Sequence, residues 1–183
     1  VVNGTEERND SIIPADFLGI EELDKIALLF NQSLFNAAKD LVDSLLKKNI
    51  TAKSGFKKIG FAIEGYNLWD LFQHNKALDK FKRAQLDELI EENNEAVSTF
   101  ARETKKLQPF LYNLVNDKGK ASAGFIYDMY ANALRRFHEG KIDDAVLRLY
   151  RVVEMSAQER LRNVYNINAS DLKVYQVPHD LRE

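Results

Sequence analysis

The chain has 183 residues, of which 45% are hydrophobic and 30% charged, with a formal net charge of −2. That length is enough to bury one core, and no apolar run approaches the roughly 18 residues a bilayer span needs, so a soluble cytoplasmic protein with no membrane partner is expected. The absence of cysteine removes disulfides, thiolate nucleophiles and cysteine-held metals together, while the near-balanced charge argues against general nucleic-acid affinity.

The opening stretch, VVNGTEERND, has no basic region followed by an apolar run and does not read as a signal peptide. Prolines occur only at Pro14, Pro109 and Pro178, and the helical periodicity between them predicts an all-α chain. A first helix follows Pro14, with Ile20, Leu23, Ile26, Ala27 and Phe30 at helical spacing, and breaks near Asn31 and Gln32. A second carries Leu34, Ala37, Ala38, Leu41, Leu45 and Leu46 on one side until Asn49. Residues 52–72 form a third, turning Phe56, Ile59, Ile63, Tyr66 and Trp69 inward, and its glycines Gly55, Gly60 and Gly65 predict close helix contact. From Lys76 to Leu107 the pattern is long and includes an acidic surface stretch, DELIEENNE; Pro109 then disrupts or restarts the helix. The expected organisation is one helical domain over 1–183, divided into an N-terminal helical part (15–116), a loop (117–124, DKGKASAG) and a helical hairpin (125–163). Beyond Asn163 the pattern fades. Beginning without methionine and stopping at PHDLRE, the chain is expected to be a fragment of a longer protein.

Three places share a helix, tight turn, helix pattern: Phe30 before Ser33 and Ala38, Phe72 before Asn75, and Phe137 before Gly140 and Ala145. The intervals are unequal, whereas a tetratricopeptide array recurs about every 34 residues. The hairpins resemble that repeat and the array does not. An alternative function, a tetratricopeptide-like (TPR-like) adaptor that binds a protein or peptide in a helical groove, follows from the same hairpins.

The hairpin is dense in polar residues. Asn132, Arg135 and Arg136 end its first helix; Arg148, Tyr150, Arg151, Glu154 and Gln158 crowd its second. On a helical wheel Leu149 centres an apolar face with Ile142, Ala145, Val146, Val152, Val153 and Ala157, yet Leu147 and Tyr150 fall on the opposite flank. The second helix is therefore expected to be covered from two sides, so that Arg148, Arg151, Glu154 and Gln158 cannot all be solvated and need partners. Asp128, Asn132 and Arg135, on one face of the first helix, are placed to supply them. The stripe Tyr127, Tyr130, Leu134 and Phe137 reads as core. Two readings of the arginines stand together: an ion-pair network that sets helix register, or a basic cleft that grips phosphate while Tyr150 stacks on a base.

Histidine is the obvious acid or base near neutral pH, but His74, His138 and His179 show no partner in sequence, and His138 reads as a helix-end residue. No metal-ligand spacing and no phosphate loop ending in Lys-Ser/Thr occurs. No catalytic residue, metal or cofactor is assigned.

The run carrying Asp128, Asn132, Ala133, Arg135, Arg136, Asp143, Asp144, Ala145, Arg148, Leu149, Tyr150, Arg151, Glu154 and Gln158 resembles the helical HEPN-like domain of CRISPR-associated effectors that join it to a CARF sensor. The resemblance centres on residues 128–161. It implies a bundle of stacked antiparallel hairpins, HEPN-like or TPR-like, that acts as a homodimer in type III antiviral defence. It implies for the intact protein a metal-independent endonuclease acting on single-stranded RNA and regulated by a cyclic oligoadenylate, the messenger binding only through a sensor domain expected upstream of Val1. The family's catalytic motif is Arg-x(4–6)-His. No arginine stands at those distances before His74, His138 or His179, so this chain alone is expected to be inactive, through truncation or degeneracy.

Overall fold

The computed structural model describes residues 15–48, 53–116 and 122–169, with Tyr175, Val177 and His179 beyond them. Among the described residues there are helices and no strand: α1 (Ala15–Asn31), α2 (Phe35–Lys47), α3 (Lys53–Asp70), α4 (His74–Arg83), α5 (Leu86–Ile90), α6 (Glu95–Asn116), α7 (Ala123–His138) and α8 (Ile142–Tyr165). The all-α bundle expected from periodicity is what forms, with α1 and α2, α3 and α4, and α7 and α8 pairing as neighbouring hairpins.

The three hairpin turns are built alike. Ser33, Phe72 and Gly140 take φ of 60°, 57° and 75°. In each turn the residue after the left-handed one donates to the carbonyl five residues back (Leu34 to Leu29, Gln73 to Leu68, Lys141 to Arg136), closing the end of the preceding helix. Five residues past each left-handed position stands a buried alanine, Ala38, Ala77 or Ala145, small enough for the two helices to close. The structural register differs from the sequence echo: Trp69, not Phe72, corresponds to Phe30 and Phe137, because Phe72 itself takes the left-handed place. Only Gly140 is the residue that enters this region without steric cost, which is why the third turn was the legible one.

One core joins α1, α2, α3, α5 and the start of α6 through Ile26, Val42, Ile59, Ile63 and Leu89; a second gathers Trp69, Ala77, Phe81, Leu111 and Leu114. Close contact at the α3 glycines holds at Gly65, where an added Cβ would lie 2.6 Å from the Phe81 ring, and at Gly60, where it would lie 3.1 Å from Val42. It does not hold at Gly55, which faces only the Glu92 side chain at 3.8 Å.

Several expectations are corrected. The stretch from Lys76 to Leu107 is not one helix: Gln85, at φ 48°, separates α4 from α5, and Asn94 accepts from the Val97 N–H to begin α6. DELIEENNE is only partly surface, since Leu89 is fully buried and Ile90 packs against the core. Pro109 neither disrupts nor restarts a helix but sits inside continuous α6. Leu34 is 43% exposed because it belongs to the turn. Helix α7 begins at Ala123, inside the stretch read as loop, where the Ser122 hydroxyl accepts from the Phe125 N–H. Residues 117–121, most of the stretch after Ala169, and the Ile20 side chain lie outside the described residues.

Candidate functional site

The polar face of α7 turns back toward α3. Asn132, Arg135 and Arg136 stand three and four residues apart, hence on one side of the helix, and all three converge on Asp70, the last residue of α3, which is 5% exposed. Asn132 donates to the Asp70 carboxylate (2.9 Å) and to its main-chain carbonyl (2.8 Å), Arg135 Nε donates at 2.9 Å, and Arg136 meets the second carboxylate oxygen. One turn earlier on α7, buried Asp128 accepts from Trp69 Nε1 at 2.8 Å and pairs with His74 Nε2 at 2.8 Å. Two carboxylates, one from α3 and one from α7, thus hold α7 against the α3 and α4 hairpin.

The network continues into α8. Arg148 donates to the Asn132 side-chain carbonyl and forks onto Asp144 at 3.0 and 3.1 Å, with its guanidinium 5.5 Å above the Phe72 ring. Arg136 also pairs with Glu139 at 2.7 Å, as does Lys141. Burial pushes the Arg135 pKa down, with Arg148 pushing the same way against Asp128 and Glu139. The hydrogen bond from Arg148 holds the Asp144 carboxyl below the usual carboxylate range. Among the described residues, buried Arg136 Nε and Glu139 Oε1 have no hydrogen-bond partner.

The eight residues singled out in the sequence therefore fall into two groups. Asn132, Arg135, Arg136 and Arg148 join the buried network. Tyr150 is 73% exposed, Arg151 pairs with Glu154 at 2.6 Å, and Gln158 donates to Glu154 at 3.3 Å on an open surface. The expectation that α8 is covered from two sides is overturned among the described residues, where α7 is the one helix that packs extensively on it. Its buried side runs through Ala145 and Met155, while Leu149, the expected centre of the apolar face, is 40% exposed. Ile142, Val146, Leu147 and Val153 face outward as well. On α7 the stripe Tyr127, Tyr130, Leu134 and Phe137, expected as core, is also exposed.

The physical reason is an inversion. The inner side of α7 is polar because Asp70, Trp69 and His74 arrive from distant parts of the chain to satisfy it, and the apolar side is left outside. Sequence reasoning missed Asp70 and Trp69 as site residues and found no partner for His74. No local signal could have found them, since the pairings span more than fifty residues. His138 is exposed at the end of α7, edge-on to Phe137. No group of described residues could hold a metal ion, and no described helix is long and apolar enough to cross a membrane. Chemically, the inner group is a structural clasp whose arginines are spent on carboxylates. The outer group is a mixed aromatic and charged edge beside an open apolar row.

A model of the Csm6 6H domain matches residues 18–111, and a model of the Csm6 HEPN domain matches residues 115–183. No curated protein and no solved structure matches the chain.

Proposed function

The chain belongs to the CRISPR-associated Csm6 family, of which it carries 6H and HEPN segments, and from that premise we propose that the intact protein is a metal-independent endonuclease for single-stranded RNA. In this reading it serves antiviral defence in the cytoplasm, works as a homodimer and answers to a cyclic oligoadenylate. No part of this chain is assigned to the messenger. The observation that carries the reading is the open row of α8: Ile142, Val146, Leu149 and Val153 recur at helical spacing and are 40 to 68% exposed. Contiguous apolar rows of this kind mark association surfaces, and a self-complementary helix face suits a twofold dimer. Tyr150, Arg151, Glu154 and Gln158 border the row, where they would meet the partner and line a path for RNA. The chain holds no Arg-x(4–6)-His, so cutting by this chain alone is not expected. The adaptor reading gains no support from the hairpin turns, which recur at unequal intervals.

Sedimentation of the purified chain tests the dimer. The paired substitution Val146→Glu and Val153→Glu should convert it to monomer without loss of helicity; a wild-type chain that is monomeric at all concentrations would refute the assignment of this face. Incubation with labelled single-stranded RNA should give no cleavage, and robust metal-independent cutting abolished by Arg151→Ala would overturn the expected inactivity.

A further inference from the structure

Between the two matched segments lies a cavity of about 410 Å³, lined by the C-terminal ends of α1 and α3, the start of α2, and residues of α6 and α7. That volume falls within the roughly 300 to 1,000 Å³ of small-ligand sites. Its walls are aromatic: Phe30, Phe35, Tyr66, Trp69, Phe110 and Tyr127. Trp69 lies 6.1 Å from Phe110 in a stacked arrangement, and Phe110 meets Tyr127 edge-on at 6.1 Å. The lining adds the polar residues Asn31, Ser33 and Arg135, the last with its Nε used by Asp70 and its terminal amino groups left over by that bond.

The electrostatics narrow the class of ligand. The C-terminal ends of α1 and α3 stand in the wall and place partial negative charge there, which disfavours a bare anion. The two carboxylates of the lining offer little to a cation, because Asp128 is engaged by Trp69 and His74, and Asp70 by Asn132, Arg135 and Arg136. What remains is a slot walled by aromatic rings, partly stacked on one another, with a few polar residues in its lining, which suits a flat, uncharged heterocycle. We propose that this cavity binds a nucleobase, with the ring inside and the sugar and any phosphate directed outward past Arg135. A free nucleotide and a base of an RNA strand share this chemistry. The proposal goes beyond the ribonuclease reading and is independent of the dimer face, since no residue of α8 lines the cavity.

Trp69 is the only tryptophan in the chain, so its fluorescence reports on this site directly. The full chain would be titrated with adenosine, uridine, their monophosphates, a short single-stranded RNA and inorganic phosphate. A saturable change is expected with the base-bearing probes and none with phosphate. A response to nucleosides and mononucleotides identifies a free ligand; a response to the strand alone identifies a base held within RNA. Tyr127→Ala, at an exposed rim position, should weaken binding about tenfold, the scale of losing one stacking partner, and Ala131→Leu, which fills the mouth, should do the same. Tyr112→Ala, exposed on α6 outside the cavity, should change nothing. Absence of any tryptophan response, a response to phosphate alone, or affinity untouched by both rim variants would overturn the proposal. RNA binding that leaves Trp69 unperturbed would sink it while sparing the ribonuclease reading, and a saturable tryptophan response in a chain that stays monomeric would support it while counting against the dimer in that reading.

Discussion

Replacing Asp70 with alanine removes the one carboxylate on which three α7 side chains converge. Asp70 is 5% exposed, Arg136 has a side chain 11% exposed, and Arg135 one 31% exposed. Breaking a buried ion pair by deleting one member costs about 3–5 kcal/mol, because the remaining charge stays buried without its counter-ion. Arg136 keeps Glu139, and water reaches part of Arg135, so the lower end applies, about 3 kcal/mol. In a chain of this size each kcal/mol moves the melting temperature by about 2–4 °C, which gives a drop of about 6–12 °C. Thermal and urea unfolding followed by circular dichroism would measure it. Asp70→Asn, which keeps the shape and one acceptor, should lose less than the alanine variant. A double-mutant cycle of Asp70→Ala with Arg136→Met should show coupling above about 1 kcal/mol. Loss below about 0.5 kcal/mol for Asp70→Ala, the range of ordinary surface changes, would refute the view that the clasp holds α7 in place.

Two further outcomes follow from single positions. Gly65→Ala places a Cβ against the Phe81 ring and should destabilise by about 1–3 kcal/mol through overpacking, with Phe81→Leu relieving part of it; equal and additive losses in the pair would count against the contact. The Asp144 carboxyl is depressed by Arg148, so its stabilising contribution is complete above the ordinary carboxylate value, about 4, and is lost as pH falls through the lower value it has in the folded chain. Asp144→Asn should flatten the acid limb of a urea-stability profile between neutral and strongly acid pH, and an unchanged limb would show that the bond to Arg148 does not persist in solution.

Much of the candidate site was visible as residues and little of it as geometry. Asn132, Arg135, Arg136 and Arg148 stood out because arginines and amides at helical spacing are unusual on a face that packs, and they do pack. Arg151, Glu154 and Gln158 stood out for the same reason, yet they lie outside, since spacing along one helix carries no information about which side a second helix will choose. The glycines of α3 showed the same limit: the pattern called for close approach, and only the position of α4 and α2 decided that Gly65 and Gly60 are tight and Gly55 is not.

By itself the sequence determined that the chain is helical, because apolar spacing and the Gly140 turn act over a few residues and need no distant partner. It also carried the family, through the polar run of α7 and α8. The tertiary structure alone decided which faces are buried. Burial of Asp128, Asn132 and Arg136 depends on Trp69, Asp70 and His74 meeting them from far along the chain, and once those bonds satisfied the polar side of α7, the apolar rows of α7 and α8 were left facing outward.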